Sequence, residues 1–373
     1  MKRLPVLLVL ALLSAANVHA DDRMADLGRQ LFFDVNLSQN RTQACATCHD
    51  PNHGFVDGRD NGVEGMASLG DDGKSLGDRN APTASYAAFV PPFVHNAKGN
   101  YVGGLFHDGR AGSLADQAGG PPLNPIEMGL KDKAEAVARI QENPDYVAAF
   151  KTLYGADVFS RPERAYAAMS EAIQAYERTA EFAPFDSKYD RYLRGEAQLS
   201  EQEELGRTLF FSQQFTNCNL CHQLRTSPMG AQETFSNYEH HNIGVPVNTA
   251  LRAKNGAQPE HVDRGLLENP AIDDPAQAGK FKTPTLRNIA VTGPYMHNGV
   301  FKDLRTVILF YNSYNTKSAK RKINPETGQP FAPPEVAENL SLKELQSGPA
   351  LDDKRIDALV AFLKTLTDAR YVE

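Results

Sequence analysis

The sequence predicts a mainly α-helical protein built as two similar domains. Three observations carry that prediction. The pentapeptide "CATCH" at 45–49 has a near twin, "CNLCH", at 218–222. Each is preceded by the same apolar frame, "LGRQLFF" at 27–33 and "LGRTLFF" at 205–211. Elsewhere apolar residues recur at helical spacing, and no run of alternating strand pattern is found.

Taken in order, the chain of 373 residues opens on "MKRLPVLLVLALLSAANVHA". Lys2 and Arg3 form a charged start, and Leu4 to Leu13 is an apolar run shorter than the ~20 residues a bilayer span requires. Val18 and Ala20 suit the −3 and −1 cleavage positions. Residues 1–20 therefore read as a secretory signal peptide, with export to the periplasm, and no later stretch reads as a membrane span. The first domain is expected over 21–185 and the second over 186–373. Residues 132–151 and 162–181 have helical spacing and many alanines, and "FAPFDSKYDRYLRG" at 182–195 reads as a connector. Near the end Ile356, Leu359, Val360 and Leu363 follow an i, i+3, i+4, i+7 pattern, with Asp352 and Asp353 favouring the helix start. The Gly/Pro-rich stretches 50–82, 91–125 and 223–300 read as long loops, which in a compact fold usually line a site.

Composition narrows the function. Charged residues make up 23% and aromatic residues 9%, with no tryptophan. Losing Lys2 and Arg3 with the signal takes the formal charge from −7 to −9. That argues against a nucleic-acid partner and suits a soluble protein partner better.

All four cysteines, Cys45, Cys48, Cys218 and Cys221, lie in the two motifs, so none is left for a structural disulfide. Cysteines at i and i+3 put both sulfurs on one face of a helical turn, and the next residue points an imidazole at the same centre. This is the pattern of covalent haem attachment. A zinc site lacks further ligand pairs nearby, and a redox CxxC lacks its βαβ surroundings. Two covalently bound c-type haems follow, each in a small cytochrome-c-like helical unit, with His49 and His222 as the iron ligands.

What fills the sixth position of each iron decides between an electron wire and a reactive site. Between residues 54 and 94 there is no histidine, and His53 follows His49 too closely to reach the other face. Met66, His95 and His107 are the residues available to close the first iron. An iron that none of them closes can bind peroxide. For the second iron Met229, His240, His241, Met296, His297 and Tyr311 are all candidates, and spacing does not choose between them.

"GDRNAPT" (77–83), "LFHDGRAGSLADQA" (105–118), "LNPIEMG" (123–129) and "FKTPTLRNIAVTGPYMHNGVF" (281–301) resemble the bacterial di-haem cytochrome c peroxidase/MauG family over nearly the whole mature chain. The resemblance implies a five-coordinate haem at His49 and a six-coordinate one at His222. It implies Tyr311, at the position where the peroxidases carry a methionine, as the second sixth ligand. A phenolate favours ferric and higher states, where methionine favours ferrous iron. The two haems can then store both equivalents of one peroxide. The resemblance also implies a calcium ion held by Asn80 and the carbonyls of Thr292 and Pro294, all oxygen donors suited to a hard cation. It implies a distal pocket of Gln117, Pro121 and Glu127, with Glu127 moving a proton and Gln117 holding bound peroxide. His107 stands where the family places a tryptophan between the haems, and Thr216 where some members carry another at a substrate-facing surface. Tyr86, Tyr101 and Tyr238 are the oxidisable residues that can stand in for them.

The function so implied is a periplasmic oxidase. It uses hydrogen peroxide, or O2 with electrons, to oxidise residues of a docked protein by long-range electron transfer. The expected substrate is a methylamine dehydrogenase precursor, whose tryptophan tryptophylquinone is matured in this way. The alternative is a peroxidase that reduces hydrogen peroxide with electrons from a small cytochrome and uses Met296 as ligand.

Overall fold

The computed structural model describes residues 21–224 and 230–372. The signal reading of 1–20 and the candidate ligand Met229 lie outside the described residues. The fold is mainly helical. Among the described residues its strands form three two-residue antiparallel ladders, 94–95 with 101–102, 240–241 with 281–282, and 323–324 with 329–330.

The chain forms two compact units. One takes the residues up to Thr47, Gly70–Lys74 and Leu114–Glu181; the other takes Cys48–Leu69, Ser75–Ser113 and Phe182–Glu373. In the first unit a helix over 21–32 is followed by Lys133–Gln141, Pro144–Tyr154 and Pro162–Glu177. The stretch with helical spacing over 132–151 holds two helices. Asp132 caps the first by accepting from the Glu135 amide. Asn143 caps the second from Asp145, and Pro144 fits the first helical turn where no N–H is needed. Leu27, Leu31 and Phe32 of the opening helix are buried, as are Met169, Ala172, Ile173 and Tyr176 of the Pro162–Glu177 helix.

The two helices of this unit meet at Gly28, where a Cβ would overlap the carbonyl oxygen of Ala172. The second unit repeats the device. Its Glu201–Phe211 helix carries Gly206, where a Cβ would overlap the carbonyl oxygen of Ala358 on the Asp353–Lys364 helix. The repeated "LGR" of the sequence therefore encodes a close helix crossing, used once in each unit. Around the second crossing lies an aromatic core of Tyr189, Phe210, Phe235, Phe301, Phe310 and Phe362, which the Leu304–Ser313 helix completes.

Further helices sit inside segments read as irregular, among them Leu114–Ala118. Lys188–Leu193 lies in the connector, started by a capping box between Ser187 and Asp190. Thr249–Asn255 lies in the long loop after the second motif.

Candidate functional site

The first motif forms a short helix, Cys45–Cys48, and the second a 3-10 turn, Cys218–Leu220. None of the four cysteines is in a disulfide. His49 and His222 follow in the same way. Each ring places Nδ1 against a backbone carbonyl, 3.1 Å from Phe55 O and 3.0 Å from Phe235 O. Both phenylalanines are fully buried and both adopt positive φ, 57° and 56°. Bonding at Nδ1 fixes the ring orientation and leaves Nε2 for a metal. Burial keeps both imidazoles neutral, pushing His49 down and His222 down to about 4. Cysteines outside any disulfide, at haem spacing, each pair beside a neutral imidazole held by its far nitrogen, fit covalent haem.

The loops that present the motifs are tied down. Ahead of Cys45, the Asp71 carboxylate accepts from Ser38 Oγ at 2.7 Å, Thr42 Oγ1 at 2.6 Å and the Asn40 amide. The Asp71 amide donates to Glu127 O at 2.7 Å, so the same residue also anchors the segment bearing Glu127. Ahead of Cys218, Asn217 Nδ2 donates to the carbonyls of Glu344 and Leu345. Thr216 is buried, with its hydroxyl bonded to Leu209 O at 2.7 Å, and the neighbouring Phe215 is the exposed ring.

Gln117, Pro121 and Glu127 lie in the first unit and are each half-buried. Gln117 is on the Leu114–Ala118 helix and Pro121 opens the turn Pro121–Leu123. Successive backbone bonds, Gly120 to Gln117 O, Asn124 to Pro121 O and Glu127 to Asn124 O, wind the three onto one compact segment.

Of the residues weighed for closing the first iron, Met66 and His107 make other contacts. Met66 is buried and its sulfur accepts from Asn248 Nδ2 at 3.1 Å. His95 is exposed on a two-residue strand. His107 places Nε2 3.2 Å from Asn80 O, and burial with the nearby Arg79 charge pushes it down to about 4. Among the second set, His240 bonds Tyr101 O at 3.2 Å, His241 bonds Ser341 Oγ at 3.3 Å, and His297 stacks on Phe281 at 3.6 Å. Met296 and Tyr311 both pack against the aromatic core. Tyr311, on the Leu304–Ser313 helix, has its phenol pushed up by burial, and it packs against the same aromatic core as Cys218 of the second motif. Of the expected calcium donors, the Asn80 side-chain amide meets Pro294 O at 3.0 Å; turning that amide over would present its oxygen instead.

A mainly helical chain with two haem-attachment sites of this kind defines a di-haem c-type oxidoreductase. The comparisons agree. The family model described as di-haem cytochrome c peroxidase matches residues 22–198. "Methylamine utilization protein MauG" of Paracoccus denitrificans is 58% identical over 353 residues, covering 94% of this chain and 90% of that protein. Among solved structures, the diheme peroxidase BthA from Burkholderia thailandensis matches with a TM-score of 0.79 and 34% identity, over 94% of this chain and 87% of that one. A "MauG-like protein associated with microbial copper homeostasis" matches with a TM-score of 0.66 and 32% identity, covering 94% and 92%. The chain belongs to the di-haem cytochrome c peroxidase/MauG family. It is a MauG-like di-haem oxidoreductase that acts with peroxide.

Three features of the site were not legible in the sequence. They are the carbonyl partners at Phe55 and Phe235, the Asp71 anchor, and the burial of Thr216. The carbonyl partners have no motif, because they lie 6 residues after His49 and 13 after His222.

Proposed function

We propose that this protein is an exported oxidase of the MauG type. It takes oxidising equivalents from hydrogen peroxide, or from O2 with electrons, and draws electrons from a docked protein rather than from a small molecule in the pocket. The expected substrate is a methylamine dehydrogenase precursor undergoing tryptophan tryptophylquinone maturation. The 58% identity to a methylamine utilization protein supports that partner. A small cytochrome is the expected electron donor when O2 is used. The leader at 1–20 assigns the mature protein to the periplasm, and no helix among the described residues is long and apolar enough to cross a membrane. Residues 21–185 and 186–373 are proposed as the two haem domains, a division supported by the repeated glycine crossings at Gly28 and Gly206.

The bound haems supply the peroxide chemistry and the store of oxidising equivalents. The chain's own residues do the rest. His49 and His222 each offer Nε2 while the Phe55 and Phe235 carbonyls hold Nδ1–H. Glu127 would hold or pass a proton, Gln117 would hydrogen-bond peroxide, and Pro121 would shape the pocket between them. Tyr311 would offer its phenol oxygen to the second iron. His107 stays neutral beside Asn80 and fills the position between the two centres. Asn80, Thr292 and Pro294 hold calcium with neutral oxygens.

The observation that carries the reading is Tyr311 packed, with Cys218 of the second motif, against the aromatic core of the second unit. Tyr311→Phe removes the oxygen ligand. The expected result is a changed ferric spectrum at the second haem and loss of substrate-protein oxidation. An untouched spectrum would instead favour the peroxidase reading with Met296 as ligand. Chelation should release calcium, detectable by metal analysis, and lower the melting temperature until calcium is restored.

A further inference from the structure

We infer that Tyr86 and Asp368 form a proton-coupled redox pair, in which Tyr86 holds an oxidising equivalent as a neutral phenoxyl radical while Asp368 keeps its proton.

The chain has no tryptophan, and its four cysteines are committed to the two haem motifs, so tyrosine is the main aromatic side chain able to give up an electron. Tyr86 is 1% exposed. Its hydroxyl donates to Asp368 Oδ1 at 2.5 Å, and the phenol oxygen accepts from the Phe185 amide at 3.3 Å. Asp368 Oδ2 accepts from Asn288 Nδ2 at 2.8 Å, and the Asp368 amide donates back to Asn288 Oδ1. Both carboxylate oxygens thus receive a hydrogen, which is the ionised form able to take a proton. Burial raises Asp368 above the usual aspartate value and makes it a better base. The same burial strongly opposes simple loss of the phenol proton to solvent. Oxidation of Tyr86 must therefore send its proton to the carboxylate it already touches.

The pair also sits on a buried bridge between the two iron-binding histidines, inside the second unit. His49 bonds Phe55 O; the Phe55 ring stacks on Phe182 at 4.2 Å; and the Tyr86 amide donates to Phe182 O at 3.0 Å. From the other side, His222 bonds Phe235 O. The Arg287 guanidinium lies 5.3 Å from the Phe235 ring and 5.3 Å from the Tyr86 ring. Arg287 is itself neutralised by Asp190 at 2.6 and 2.9 Å. By contrast Tyr101 stacks on Phe93, and the Tyr238 phenol meets no carboxylate among the described residues.

The step balances. One electron leaves Tyr86 for the metal centre that peroxide has oxidised, the O–H bond breaks, and the proton forms an O–H bond on Asp368. An electron from the protein substrate, with return of the same proton, regenerates the phenol. The inference rests on the di-haem reading.

The test is electron paramagnetic resonance of the holoenzyme, frozen after stoichiometric peroxide. An organic radical signal is expected that narrows with ring-deuterated tyrosine, is lost in Tyr86→Phe, and persists in Tyr238→Phe. Asp368→Asn should slow its appearance by about 10²-fold, the size of a lost general base. A signal unchanged in Tyr86→Phe, or insensitive to deuterated tyrosine, overturns the proposal. Loss of the ferric haem absorbance in the same samples reads the peroxide reaction separately. If that reaction fails, a photogenerated ruthenium(III) oxidant replaces peroxide and the same comparison decides Tyr86.

Discussion

Single residues carry the chemistry here, and burial decides what each can do. Glu177 lies at the end of the Pro162–Glu177 helix, buried, with Oε2 lacking a hydrogen-bond partner among the described residues. Burial pushes its carboxyl up to about 8. A carboxyl raised in the fold is held neutral there, while the unfolded chain ionises near the ordinary glutamate value. Its burial therefore costs nothing in acid, and stability falls as pH rises from that ordinary value towards 8. Glu177→Gln should be more stable than the parent at pH 8 by on the order of 3 kcal/mol, with the difference gone near about pH 4. Denaturant melts at the two pH values check this; equal stabilities throughout would mean that Glu177 has a partner.

At the scale of elements, the two glycine crossings set how closely the helices of each unit pack. Neither Gly28 nor Gly206 has a positive φ, so their requirement is space. At Gly206 a methyl would strike Ala358 O and also lie 2.7 Å from Phe362 Cβ. Backbone cannot move aside as a flexible side chain can. Gly206→Ala should therefore destabilise by about 3 kcal/mol or more, beyond the usual range for a surface helix position, where alanine would instead be favoured. Thermal melts of the holoenzyme measure it. An unchanged or raised melting temperature would show that the helices do not cross there. The helices themselves were legible where their pattern was amphipathic, as with Ile356, Leu359 and Leu363 on the Asp353–Lys364 helix. The Leu304–Ser313 helix was not, because Val307 to Phe310 are apolar on every side and a short apolar run does not tell helix from strand.

Across the molecule, the long loops are held by charge as well as by packing. Arg79, from the first loop, meets Asp263 at 2.6 and 2.7 Å and Asp108 at 2.7 Å, all largely buried. The Asp263 carboxyl is held far below its ordinary value, chiefly by its bonds to Arg79 and against the opposing effect of burial. A carboxylate depressed in the fold gives its full stabilisation above the ordinary aspartate value and loses it as pH falls through the depressed one. Asp263→Asn should cost about 3 kcal/mol at neutral pH, the price of breaking a buried pair, and should flatten the acid limb of the stability curve. An acid limb as steep as the parent's would assign that loss to other carboxylates.

The sequence by itself determined the covalent chemistry and the repeat. A haem-attachment motif needs residues adjacent in the chain, and a helix face needs only its own periodicity. Both are local, so both are written in order along the chain. The tertiary structure decided what lies far apart in sequence. It chose the carbonyls of Phe55 and Phe235 to orient the two imidazoles, brought Tyr311 and Cys218 onto one aromatic core, and set Tyr86 against Asp368. Such contacts depend on how loops close over a core, and a strict spacing rule does not reach them.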